Sequence, residues 1–255
     1  MNRLIVLKNL MKQKNLNNYL EIGVQRGFIF FRIKSTFKIA VDPGFEFGKM
    51  KTWNKVFNFP YNLFNKYFET TSDDFFLKNA KQVFEKTKPD LIFIDGMHEY
   101  QYALRDIENS LRYMTDNGVI VVHDCNPKTK EAGSSFKEFS ENNYEGLWNG
   151  DVWKAILHLR STRQDVNVFV LDCDHGLGII TKGTPESKLG FSPEEIDKFN
   201  YDNFAQNREM WLNLKKPDYF YDYFKIKDRN KRLSRRILKA ILVKFHILPG
   251  RKSSN

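Results

Sequence analysis

Short apolar runs that end abruptly in an acid are the feature that most limits how this chain can fold. Residues 90–96 read "DLIFIDG" and residues 118–124 read "GVIVVHD". Neither run alternates apolar with polar side chains. Each strand must therefore be covered on both faces, which is the condition of a parallel sheet packed between helices. "NYLEIGV", "FKIAVDP" and a shorter run around Tyr67 to Thr70 read as further strands. The segments between them have helical spacing. "DDFFLKNAKQVFEKT" reads as one helix with acids in its first turn. "HEYQYALRDIENSLRYM" reads as another, with Tyr100, Leu104, Ile107 and Leu111 along one apolar stripe. Asn117-Gly118 reads as its glycine C-cap.

Strand–helix alternation of this kind predicts an α/β fold, a parallel sheet covered by helices on both faces. In such sheets ligands bind beyond the carboxyl ends of the strands, beside the point where strand order reverses. Glu21, Gly23, Asp42, Asp73, Asp95 and Asp124 all fall at or just after predicted strand ends, so one edge should gather them. In the second half, "GDVWKAILHLRS" reads as a helix, and "VNVFVLD" with "LGIIT" as a strand pair turning at "CDHG". From Phe191 to Phe224 the chain reads as helical and aromatic-rich, opening on "SPEE" with Ser192 as cap and Pro193 in the first turn.

The formal net charge of +10 is concentrated at one end. Residues 225–255 hold eleven Lys or Arg against one acid, while the remaining chain balances 30 basic against 30 acidic residues. A neutral body argues against nucleic acid as the partner. Two cysteines, Cys125 and Cys173, lack metal-type spacing and are too few for a disulfide scaffold, so a reducing cytoplasmic setting is expected. The apolar run before Lys8 is too short for a signal-peptide core, and no window approaches the roughly 18 apolar residues that span a bilayer.

"LEIGVQRG" sets Gly23 and Gly27 after a strand, where glycine lets backbone approach a ligand and exposes amide donors. Asp42 ends the next strand, 19 residues after Gly23, a position from which an acid accepts hydrogen bonds from a ribose diol. Both a nicotinamide dinucleotide site and an S-adenosylmethionine site use this arrangement. The dinucleotide fingerprint has a middle glycine, where this chain has Gln25.

Together, "YLEIGVQRG", "KIAVDP", "TSDDFF" and "PDLIFIDGMHEYQYALRDIENSLRYMTDNGVIVVHDCNP" resemble the class I S-adenosylmethionine-dependent methyltransferases. The nearer resemblance is to a branch with an IDGxHxY motif found in glycan, polysaccharide and natural-product clusters. It covers about Asn18 to Ile180. It implies a Rossmann-like α/β fold, a mostly parallel seven-stranded sheet with an antiparallel final hairpin, and S-adenosylmethionine as cofactor. It also implies Glu21, Gly23 and Gly27 around the methionine part, Asp42 at the ribose, Ser72 and Asp73 near the adenine, and Asp95 at the reacting edge. The expected domains are 1–185 for cofactor binding, 186–224 as a helical cover and 225–255 as a basic tail.

Asp95 with His98, and His123 with Asp124, fall at the ends of two successive strands. Methyl transfer to oxygen needs a hydroxyl close to deprotonated. A histidine can take that proton near neutral pH, and Mg²⁺ held by Asp95 and Asp124 could lower the hydroxyl's pKa and orient it. Asp151, Trp153 and Lys154 in "WNGDVWK" suit a polar acceptor such as a sugar, or else a helix cap and core. Asp174 and His175 read as hairpin-turn residues. The expected reaction is methyl transfer to a hydroxyl of a glycan or similar acceptor, in surface polysaccharide synthesis. In the tail, Leu233, Ile237, Ile241, Phe245 and Leu248 recur at helical spacing among basic residues, as in a helix that lies on an anionic membrane surface, where a lipid-linked acceptor would sit. Two rival readings, a nicotinamide-dependent oxidoreductase and a non-catalytic membrane-surface adaptor, leave the strand-end acids and histidines idle.

Overall fold

The computed structural model describes residues 1–48 and 58–227. The expected membrane-surface helix of the basic tail lies outside them. The described chain falls into two compact units, Met1–Pro217 and the residues from Asp218 onward.

The first unit is a mixed sheet of eight strands among the described residues, in the order β3-β2-β1-β4-β5-β7-β6-β8. The strands are β1 (Asn18–Ile22), β2 (Phe37–Asp42), β3 (Lys66–Glu69), β4 (Leu91–Ile94), β5 (Val119–Val122), β6 (Val166–Leu171), β7 (Leu177–Lys182) and β8 (Leu214–Lys215). β1 pairs in parallel with both β2 and β4, and β5 continues the parallel run beside β4. β7 is antiparallel to β5 and β6, so the expected final hairpin is present. The two-residue β8 adds an edge strand beyond the seven expected. All residues of β4, β5 and β6 are buried; β4 and β5 are unbroken apolar runs, and β6 carries one buried polar residue, Asn167.

The helices cover the sheet. Helix α1 (Arg3–Gln13) buries Val6, Leu7, Leu10 and Met11 and is capped by Asn2, whose side chain accepts from the Ile5 amide at 3.1 Å. The helix expected after β3 breaks at Asn79 into α2 (Ser72–Lys78) and α3 (Ala80–Val83). Helix α4 (Tyr100–Tyr113) buries its predicted stripe. It ends at Tyr113, and Met114 is extended, so Gly118 is not its C-cap. Gly118 instead closes a turn onto Thr115, with Met114 Cγ 2.3 Å from where a Cβ would stand.

Short α5 (Phe136–Glu141) precedes α6 (Trp153–Thr162). Helix α7 (Pro193–Lys198) starts with the reciprocal Ser192–Glu195 capping box, and α8 (Tyr201–Leu212) follows. Trp153 is 1% exposed and stacks on Phe204 with ring centroids 4.7 Å apart, joining α6 to α8. Arg160 donates to the Met210 and Trp211 carbonyls at the end of α8. The second unit contains helix α9 (Tyr219–Tyr223).

One acid lies on the buried face of α4. Asp106 is 3% exposed, and burial pushes its pKa up to about 7 against the pull of a hydrogen bond from Ser72. A carboxyl raised above its unfolded value favours the fold most at low pH, and that contribution is lost as pH rises through the folded pKa. Asp106→Asn should therefore raise the melting temperature relative to the parent more at pH 8 than at pH 5. Paired thermal unfolding at the two values tests this, and an equal difference would count against it. Trp153→Ala should cost about 3–5 kcal/mol of unfolding free energy in a denaturant titration, as deletion of a large core ring does.

Candidate active site

The carboxyl ends of β1, β2, β4 and β5 meet where strand order reverses, between β1 and β4. The loop after β1 runs against β4. Gly23 has φ +81°, and a Cβ there would stand 2.1 Å from the Asp95 carbonyl oxygen, so only glycine fits. Gly27 also has positive φ, at +69°. Gln25, where the dinucleotide fingerprint has glycine, takes the left-handed conformation itself, at φ +44°. Its amide donates to Asp42 Oδ2 at 2.8 Å, and the Gly44 amide donates to Oδ1 at 2.8 Å. Asp42 is thus fixed by two backbone donors while each oxygen keeps a lone pair for a ligand.

The remaining residues expected at the cofactor are engaged within the protein. Glu21 is 2% exposed and accepts from Tyr19 Oη at 2.5 Å; burial pushes its pKa up to about 8. Ser72 bonds the buried Asp106 carboxyl. Asp73 forms a two-pronged pair with Arg105, at 3.1 and 2.8 Å, on an exposed face.

The reacting edge is a close cluster of charges. His123 Nδ1 lies 3.0 Å from Asp95 Oδ1 and 2.9 Å from Asp124 Oδ2. His98 Nε2 lies 3.2 Å from Asp124 Oδ2 and 3.7 Å from Asp95 Oδ1, while its Nδ1 bonds the Trp148 carbonyl at 3.0 Å. Burial opposes the charge on both imidazoles. The surrounding carboxylates more than offset it, so His98 is raised and His123 is pushed up to about 11. Burial likewise opposes the Asp95 charge, but hydrogen bonds from His123 and His98 hold it well below the usual carboxylate range. One ligand atom each from Asp95, His98 and Asp124 lies within 4.8 Å of the others, a set able to grip a divalent cation. All four residues expected to be catalytic are therefore together.

Three further residues complete the cluster. Asn149 donates to Asp124 Oδ1. Asp174, from the turn between β6 and β7, lies 3.8 Å from His123 Nε2. Arg3, the first residue of α1, sets its guanidinium against the His123 ring and reaches within 4.0 Å of Asp95 and 3.6 Å of Asp174. Asp174 and His175 are turn residues, as expected, but the turn delivers Asp174 into the site. For Arg3 the only sequence signal is an arginine after an Asn cap, which says nothing of its target.

The acceptor residues expected in 148–154 need correction. Trp153 belongs to the core. Asp151 is buried and caps α4 from outside, its Oδ1 accepting from the Tyr100 amide at 2.7 Å. Lys154 is tied to the Asp197 carbonyl at 3.0 Å. From this segment the site receives the Trp148 carbonyl and the Asn149 amide instead.

Residues 20–125, from β1 to just past β5, match the model of a family described as a methyltransferase domain. The stretch includes Gly23, Asp42, Asp95, His98, His123 and Asp124. The sequence matches no curated protein. Among solved structures, the fold is similar to a candidate caffeoyl-CoA O-methyltransferase from Staphylococcus aureus, at 16% identity over 72% of this chain and 85% of that one, with a TM-score of 0.51. It is also similar to the O-methyltransferase TomG from Streptomyces achromogenes, at 11% identity over 71% and 79%, with a TM-score of 0.50. At such identities the likeness is one of fold. Residues 20–125 thus match a methyltransferase domain, and the sheet that carries them is Rossmann-like.

Proposed function

We propose that this chain transfers a methyl group from S-adenosylmethionine to a hydroxyl of a sugar, glycan or similarly polar acceptor. The observation that carries this reading is the convergence of Asp95, His98, His123 and Asp124 beside the glycine loop and Asp42. Support also comes from TomG, a neighbour solved in complex with S-adenosylmethionine. Bound at this edge, the cofactor would supply an activated methyl sulfonium. Gly23 and Gly27 give its methionine end a close backbone wall, and Asp42 offers its remaining lone pairs to the ribose. Ser72, backed by Asp106, lies toward the adenine end.

His98 is the side chain best arranged to take the acceptor's proton. Its Nδ1–H is held by the Trp148 carbonyl, and its Nε2 faces Asp124 at 3.2 Å and Asp95 at 3.7 Å, so a proton taken there would be stabilised by both carboxylates. His123 is the more enclosed of the two, with 6% of its side chain exposed against 27% for His98. Asp124 and Asp95 orient the acceptor oxygen. Alternatively, Asp95, His98 and Asp124 would hold a divalent cation; with Nε2 then engaged as a ligand, the cation in place of His98 would lower the acceptor hydroxyl's pKa. The glycan and polysaccharide assignment is supported by the sequence resemblance around Ile94–Tyr100. A lipid-linked acceptor at an anionic membrane surface, reached through residues 225–255, extends the same proposal. No helix among the described residues is long and apolar enough to cross a membrane.

Calorimetry should give micromolar binding of S-adenosylhomocysteine and none of NAD⁺; the reverse result would refute the cofactor assignment. His98→Ala should lower methyl transfer from labelled S-adenosylmethionine to sugar or glycan fractions by about 10²–10⁴, the range for loss of a general base. Its S-adenosylhomocysteine affinity should stay near the parent value. Full turnover in this variant would remove His98 from the role.

A further inference from the structure

The strand-end cluster contains a cation that the reaction scheme above does not use. Arg3 opens α1, far in sequence from β4, β5 and the β6–β7 turn, yet it touches all three. Its guanidinium lies against the His123 ring and stands 4.0 Å from Asp95 and 3.6 Å from Asp174. Its main-chain amide donates to Asp174 Oδ2 at 2.7 Å, so backbone and side chain are both tied to the same carboxylate. The helix behind it is anchored by Val6 and Leu7, which are wholly buried. Arg3 is therefore held by its element and is not a loose surface arginine.

The turn that meets it is strained. Asp174, His175 and Gly176 have φ of +49°, +62° and +89° in succession, and only the last is a glycine. Asp124, which faces the same cluster, has φ +62°. Non-glycine residues persist in this region only where their surroundings over-determine them, and such outliers gather at functional sites. A Cβ at Gly176 would stand 2.4 Å from the Asn126 backbone nitrogen, and the Asn126 amide donates to the His175 carbonyl, so the turn is clamped against the strand end after β5.

We propose that Arg3 is the resident cation of this cluster: a positioning residue that neutralises Asp95 and Asp174, fixes His123, and sets how tightly a divalent cation is held by Asp95, His98 and Asp124. The argument is electrostatic. A guanidinium stays charged at any working pH. Placed beside one of three candidate ligands in a partly buried site, it repels a second cation much more strongly than it would in water. The chain thus carries its own counter-charge, and a metal must compete with it. This inference rests on the assignment of the cluster as the reacting edge, not on the identity of the acceptor.

The test is Mn²⁺ binding to the full chain, read by electron paramagnetic resonance with Mn²⁺ alone as probe. Arg3→Ala should bind Mn²⁺ at least about tenfold tighter than the parent, a conservative figure for removing one charge at this range. Arg3→Lys, which keeps the charge, should stay within about threefold of the parent. Adding Asp95→Asn to Arg3→Ala should abolish the gain. Arg3→Gln carries the same expectation as Arg3→Ala while keeping hydrogen-bonding groups at the site. If neither neutral variant gains Mn²⁺ affinity, through loss of fold or otherwise, the proposal is overturned. A gain that survives Asp95→Asn overturns it too. S-adenosylhomocysteine affinity read on the same samples separates this outcome from failure of the cofactor assignment.

Discussion

The parallel pairing of β1 with β2 on one side and β4 on the other is the constraint from which the rest of the molecule follows. It opens the crevice where strand order reverses. It also forces the loop after β1 so close to β4 that a side chain at Gly23 would collide with the Asp95 carbonyl. The glycine loop after β1 and the backbone that carries Asp95 are thus braced against each other. Asp42 extends the brace to the end of β2 by accepting from the Gln25 and Gly44 amides. The proposed cofactor wall and the proposed reacting edge arise from one packing decision, not from two separately built sites.

On the far side of that crevice the problem is charge. Asp95, Asp124 and Asp174 are partly or fully withdrawn from water, where unpaired carboxylates are costly. His123 and Arg3 supply the balance, and His98 joins from the edge. The arrangement is tolerable only because each charge has a partner within about 4 Å. The partners come from α1, β4, β5 and the β6–β7 turn, so the charge balance exists only in the assembled fold.

This explains what could and could not be read from the sequence. Fully apolar runs are a strong signal, so β4 and β5 are where the pattern predicts, the mostly apolar β6 and β7 follow as a pair, and an acid at a strand end has only one edge to occupy. Asp95, His98, His123 and Asp124 were legible for that reason. Arg3 was not, because no local pattern tells where the start of a helix will dock. Trp153 and Asp151 read equally well as an acceptor platform or as core and cap, and only the packing of α6 on α8 and the turn at Tyr100 decides. Gln25 shows the limit of motif reading: the motif asks for glycine, yet a left-handed glutamine preserves the loop by donating to Asp42. The helix break at Asn79 and the extended Met114 were likewise invisible, since tertiary contacts override helical spacing at both points.

Helix α4 has no cap of its own, since Glu99 makes no side-chain cap bond and Asp151 serves from 51 residues away. The loop that carries Asp151 also carries the Trp148 carbonyl on His98 and the Asn149 amide on Asp124. Gly150 sits within it at φ +66°, where a Cβ would strike the His98 carbonyl. These bonds form a single latch. One loop therefore supports the first turn of α4, the ring of His98 and the carboxylate of Asp124 together, so a change in residues 148–151 reaches all three, while Gly23 and Asp42 are braced by contacts with Asp95, Gln25 and Gly44.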